Sequence, residues 1–153
     1  RDWSSDVCSS DLGVRVVHVP FHGDFDSHEG HLERHAALMT ELDDALAAFR
    51  ADLAARGIAD RVLIATTSEF GRRAPDNASN GLDHGAGSFA LFAGPVAAGL
   101  FGAYPDLSRL DANDNLAATV SMADYYATIA ESWFGVPASD VLAGSPTVLD
   151  GIV

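Results

Sequence analysis

Apolar residues at Leu32, Ala36, Met39, Leu42, Leu46, Phe49 and Leu53 recur every three or four positions, and no other feature constrains the fold of this chain as much. That spacing lays one apolar stripe along a helix, and the stripe requires a surface to pack on. The helix is predicted to stop near Arg56 and Gly57, since glycine is favoured just beyond a helix terminus. Two short apolar runs bracket it: V-R-V-V-H-V at residues 14–19, closed by Pro20, and V-L-I-A at residues 62–65. Runs of this length without strict alternation suit strands covered on both faces. Strand, helix and strand together predict a right-handed crossover with two parallel strands. The segments that follow the strands, F-H-G-D-F-D-S-H and T-T-S-E-F-G-R-R, would then emerge at one sheet edge.

Downstream, residues 71–87 hold four glycines and two asparagines among polar side chains, which predicts a long functional loop. Residues 88–93, S-F-A-L-F-A, read as a third strand, antiparallel to its predecessor, with its entrance beside Asp83 and His84. The stretch from Gly94 to Asn115 reads as irregular, with a short strand or hairpin near residues 99–102. Ser121 is placed to cap a helix over residues 122–134, with Tyr125, Ile129 and Trp133 at helical spacing and Gly135 as the stop. One more helical turn is expected in residues 137–153. The fold class is therefore α/β, a mostly parallel sheet with an antiparallel edge and helices on its faces.

With 153 residues, 48% of them hydrophobic, the chain suits one domain. A formal charge of −13, with nine arginines and no lysine, argues against nucleic acid as a partner. A bound divalent cation would still let so acidic a protein take a small anion. No apolar run approaches the roughly 20 residues of a membrane-spanning helix. The single cysteine, Cys8, excludes an internal disulfide framework. Residues 1–12, R-D-W-S-S-D-V-C-S-S-D-L, resemble the in-frame translation of a sequencing adapter. They are set aside as non-native, leaving residues 13–153 as the C-terminal portion of a single domain.

Asp24, Asp26 and His28 alternate in a loop, and five of the six histidines lie between His18 and His35. Carboxylate oxygen and imidazole nitrogen converging from separate segments are what a borderline divalent metal requires; the bland alternative is a set of solvent-facing loop residues. His31 and His35 stand at i and i+4, but H-L-E-R-H sets its glutamate differently from the H-E-x-x-H zinc motif, so they read as a polar helix flank with His31 in reserve. Glu69, just past the second strand, is placed to bind a metal or act as a base. Arg72 and Arg73 offer planar forks for phosphate, sulfate or carboxylate, or else ion pairs with Glu69 or Asp76. Asp83-His84-Gly85 lies where glycine lets backbone approach a ligand, or is a plain Asx turn.

These motifs have an order: F-D-S-H at residues 25–28, S-E-F-G-R at 68–72, Asn77, D-H-G at 83–85, F-A-G-P-V-A-A-G-L-F-G at 92–102 and A-D-Y-Y-A-T-I-A-E-S-W-F-G at 123–135. The set resembles domain-of-unknown-function family 1501, placed in the alkaline phosphatase and sulfatase superfamily. The resemblance implies part of an alkaline-phosphatase-like three-layer sandwich. It also implies a metal-dependent phosphate or sulfate ester hydrolase with one or two divalent cations (Zn, Mn, Mg or Ca). Asp26, His28, Glu69, Asp83 and His84 would ligate metal, while Arg72 and Asn77 would hold a small anionic ester. Ser68-Glu69 stands where metal-binding relatives usually show Asp-His, which bears on metal count and identity. The superfamily's nucleophile would lie upstream, so this portion is expected to be catalytically incomplete, and an extracytoplasmic location is implied. The rival expectation is a non-catalytic exported binding protein that keeps the fold.

Overall fold

The computed structural model describes residues 13–21 and 23–153. Helix α1 spans His31–Ala55, and Gly57 ends it at φ +69° in the left-handed region, as its sequence position predicts. Of the apolar stripe, Leu53 is buried, Leu42 and Leu46 are half-buried, and Leu32 remains 83% exposed. The first turn of α1 has no side-chain cap. Two carbonyls from a distant turn serve instead: Gly30 N–H donates to Ser79 O at 3.1 Å and His31 N–H to Asn80 O at 2.8 Å.

Strand β1, Ile64–Ala65, lies within the second apolar run. It pairs antiparallel with β4, Phe92–Ala93, with Ile64 opposite Ala93. Residues 14–19, expected to be a parallel partner, form no strand among the described residues, and Val16, Val17 and Val19 are 70%, 63% and 78% exposed. β-branched composition favours a pleated surface only where a neighbouring strand supplies one. The described sheets are therefore two antiparallel pairs. Residues 99–102 likewise form no strand.

The second pair corrects the expectation of a loop at residues 71–87. Strand β2, Gly71–Asp76, and strand β3, Leu82–Gly85, form an antiparallel hairpin with Gly71 opposite Gly85 and Arg72 opposite His84. The side chains gave no strand signal because neither face of the hairpin buries an alternating apolar row, Gly71 being the one buried residue of the two strands. Asn77 organises the turn, its Oδ1 accepting from Ser79 N–H at 2.9 Å and Gly81 N–H at 3.0 Å, while Asn80 adopts φ +53°. Residues 114 and 115 lie along the outer edge of β2, through a bridge between Arg73 and Asn115 and a bond from Ala74 N–H to Asp114 O.

Helix α2, Met122–Thr128, continues as a wider turn over Ile129–Trp133, and Gly135 stops it at φ +65°. Its apolar side forms the core with Tyr125, Ala127, Ala130, Ala138 and Ile152. Tyr125 ties this core to the first sheet, stacking on Phe92 at 4.8 Å and donating its hydroxyl to Thr66 O at 2.6 Å. Burial pushes its pKa up to about 12. No helix of the described residues is long and apolar enough to cross a membrane.

Ser121 and Asp124 form a reciprocal capping box at the start of α2. Ser121→Ala is expected to cost about 1 kcal/mol in a denaturant titration. The Asp124 carboxyl is held below the usual carboxylate range by the Ser121 hydroxyl and by the backbone N–H groups of Thr147 and Ser121, against the opposing effect of desolvation. A depressed folded-state pKa stabilises the fold fully above the unfolded pKa, and the contribution fades as pH falls through the folded value. Asp124→Asn should therefore flatten the loss of Tm between neutral pH and about pH 3.

Candidate metal centre

The turn of the β2–β3 hairpin carries the loop that precedes α1. Leu82 N–H donates to Ser27 O at 3.4 Å, and Asn77 Nδ2 donates to His28 O at 3.0 Å. With the two turn carbonyls on the start of α1, these bonds clamp residues 25–31 onto the hairpin. Asp26 and His28 thereby meet His84 of β3.

Three ligand-type atoms converge there. Asp26 Oδ1 lies 2.8 Å from His84 Nε2 and 3.0 Å from His28 Nε2, and the two Nε2 atoms are 3.1 Å apart. Asp26, His28 and His84 form the one such group among the described residues whose ligand atoms all lie within 4.8 Å of one another. Each side chain is about half exposed, so the centre opens to solvent. Phe70 stacks on the His84 ring with centroids 3.7 Å apart and fixes its plane.

Arg72 supports this group. Its guanidinium donates to Leu82 O at 2.6 Å, Phe25 O at 2.8 Å and Asp26 Oδ1 at 2.8 Å, which joins the loop to the hairpin. The Asp26 carboxyl is held below its usual range by the hydrogen bond from His84, by that from Arg72 and by the charges of His84 and His28, with desolvation opposing them. It therefore presents oxygen lone pairs at neutral pH.

Asp83 stands behind the group, its Oδ1 3.6 Å from His28 Nδ1 and 3.2 Å from Asn77 Nδ2. Its carboxyl is lowered chiefly by the Asn77 hydrogen bond, then by His28 and the charge of Arg73, against desolvation. A carboxylate on the Nδ1 side is the arrangement common behind metal-bound histidines, and at 3.6 Å a small approach of Asp83 would complete the bond.

The residues singled out in the sequence thus divide. Asp26, His28 and His84 meet, and Asp83 adjoins His28 from outside. The Glu69 carboxylate lies outside the group and makes no hydrogen bond or ion pair with a described residue. Arg72 and Asn77, expected to hold an anion, are engaged with the protein itself, Asn77 through four hydrogen bonds. His31 points elsewhere, its Nδ1 2.6 Å from the buried Ser27 Oγ, and stacks on His35. Phe70 was not foreseen as part of the site, although it sits inside the S-E-F-G-R motif.

A family model described as a protein of unknown function, DUF1501, matches residues 9–140. The chain belongs to that family. The DUF1501 match takes in the whole Asp26, His28 and His84 group, the hairpin that carries it and α2. No curated protein and no solved structure matches the chain.

Proposed function

We propose that Asp26, His28 and His84 hold a divalent cation in a hydrolase-like protein that acts on small phosphate or sulfate esters. The observation that carries the reading is the triangle of one carboxylate oxygen and two imidazole nitrogens with edges of 2.8, 3.0 and 3.1 Å. Neighbouring ligands of an octahedral cation bonded at about 2.1 Å lie roughly 3.0 Å apart. Tetrahedral zinc bonded at about 2.0–2.1 Å spaces them by about 3.3 Å. The donor set therefore fits either geometry with shifts of a few tenths of an ångström. Two imidazoles favour Zn or Mn over Mg or Ca.

A cation so held would supply Lewis-acid polarisation of an ester oxygen. The protein's own groups prepare the site. Arg72 keeps Asp26 ionised and aimed, Asp83 and Asn77 orient His28, and Phe70 holds the His84 ring. In this proposal the two antiparallel pairs belong to the edge of an alkaline-phosphatase-like three-layer sandwich, and the protein works outside the cytoplasm.

A panel of phosphate and sulfate monoesters tests the reaction, assayed over Zn and Mn concentrations with the full-length parent protein, because the chain itself is expected to be catalytically incomplete. Turnover abolished by a chelator and restored by metal is the expected result. Stoichiometric metal binding without turnover of any ester would favour the non-catalytic binding protein.

A further inference from the structure

Among the described residues three arginines are half-buried: Arg34, Arg72 and Arg73. Arg34 pairs with Asp24 and Arg72 with Asp26. Arg73 makes no close ion pair with a carboxylate among the described residues, although its charge acts on Asp83 and Asp111, and its single side-chain hydrogen bond runs from Nε to His84 O at 3.2 Å. That bond pins the guanidinium while leaving both terminal nitrogens without a hydrogen-bond acceptor. Neither the Asp83 nor the Asp111 carboxyl bonds the fork, so an anion arriving there would displace water rather than a protein carboxylate.

The space for one is present. A shallow depression open to solvent is lined by Arg73, His84, Gly85, Ala86, Asn113 and Asn115. Asn115 is committed to the protein: its Oδ1 accepts from Ala86 N–H at 3.1 Å, and its Nδ2 donates to Asp111 Oδ2 at 3.0 Å. Asn113 bonds only through its backbone N–H, to Asp111 Oδ1 at 2.8 Å, so its side-chain amide is uncommitted among the described residues. The depression thus combines a charged planar fork, an adaptable amide donor and glycine backbone, a set suited to a small oxyanion.

We infer that Arg73 and Asn113 form a binding subsite for a phosphate- or sulfate-type oxyanion, next to the candidate metal centre along β2 and β3. Neighbouring side chains on a strand point to opposite faces, and Arg72 and Arg73 divide accordingly, the first bonding Asp26 and the second bonding His84 O and lining the depression with Asn113 and Asn115. The inference goes beyond the metal reading, because the fork requires no cation to bind an anion. It also moves the anion from Arg72 and Asn77 to a neighbouring residue.

Inorganic phosphate and sulfate, titrated calorimetrically into chelator-treated chain, provide the test. Saturable binding of at least one of them is expected, weakened about tenfold or more by Arg73→Gln and several-fold by Asn113→Ala. Exposed Arg109→Gln serves as the control and should leave affinity unchanged. Zinc uptake, measured separately on the same variants, should not change, so failure of the metal reading and failure of this one are distinguishable. Asn113→Ala removes no side-chain contact and keeps the test decisive if Arg73→Gln does not fold. No saturable binding below about 10 mM, or phosphate affinity unchanged in both variants, overturns the subsite. Binding that appears only with metal and ignores Arg73 places the anion on the metal and overturns it equally.

Discussion

Alanine at position 26 is expected to lower zinc or manganese affinity by about 100-fold or more. Asp26 supplies the only anionic ligand of the group, and its Oδ1 is the point from which both imidazole nitrogens are 2.8 and 3.0 Å away. Its loss leaves two neutral donors and, beside them, Arg72 with its counter-ion removed. A bare guanidinium repels a cation, so the electrostatic penalty adds to the lost bond. His84→Ala should have a comparable effect through loss of one nitrogen. Glu69→Gln should have none, since that carboxylate lies outside the group. Equilibrium dialysis followed by elemental analysis measures all three. Retention of a full equivalent of metal by Asp26→Ala would remove the site.

A single methyl group at position 81 should damage the fold and the site together. A Cβ there would stand 2.0 Å from His28 C, 2.1 Å from His28 O and 2.4 Å from Glu29 N, all of them backbone atoms. Side chains rotate away from such an intrusion, whereas backbone relieves it only by separating the loop that carries Asp26 and His28 from the hairpin that carries His84. Overpacking of this kind costs about 3 kcal/mol. In a chain of this size that corresponds to a Tm lower by roughly 6–12 °C. Metal affinity should fall in parallel, although residue 81 bears no ligand. Gly99→Ala, whose nearest contact would be an ordinary 3.6 Å, supplies the comparison and should change neither quantity. Gly81→Ala melting at the wild-type temperature with unchanged metal affinity would show that the clamp between loop and hairpin does not hold the site.

Much of the local structure was legible because local chemistry decides it. Apolar spacing marked α1, Gly57 marked its end, and Ser121 marked the start of α2. The run at residues 62–65 and the one at 88–93 each contain a strand, and the two strands pair antiparallel. The same reasoning overreached at residues 14–19, where a β-branched run has no neighbour among the described residues. It fell short at residues 71–85, where a hairpin is built from polar residues and glycine. With no alternating apolar face to bury, the hairpin leaves no side-chain period to read.

The candidate site shows the same division. Composition marked Asp26, His28, Glu69, Asp83 and His84 as ligand-type residues, and in the structure three of them converge, one adjoins and one stands apart. The ordered motifs singled out Arg72 to hold an anion, whereas in the structure Arg72 is engaged with three protein oxygens and the terminal nitrogens of its neighbour Arg73 bond none. Adjacent residues on a strand face opposite ways, so one position changes a partner completely.

By itself the sequence determined which residues carry charge and lone pairs, where α1 ends, and where α2 begins and stops. Only the tertiary structure decided which of those groups meet. Asp26 and His84 are 58 positions apart, and their 2.8 Å contact depends on turn carbonyls, Asn77 and a bare glycine holding a loop against a hairpin. Helix formation is governed by neighbours in the chain; a contact at that separation is governed by backbone hydrogen bonds and steric fit, which leave almost no trace in residue order.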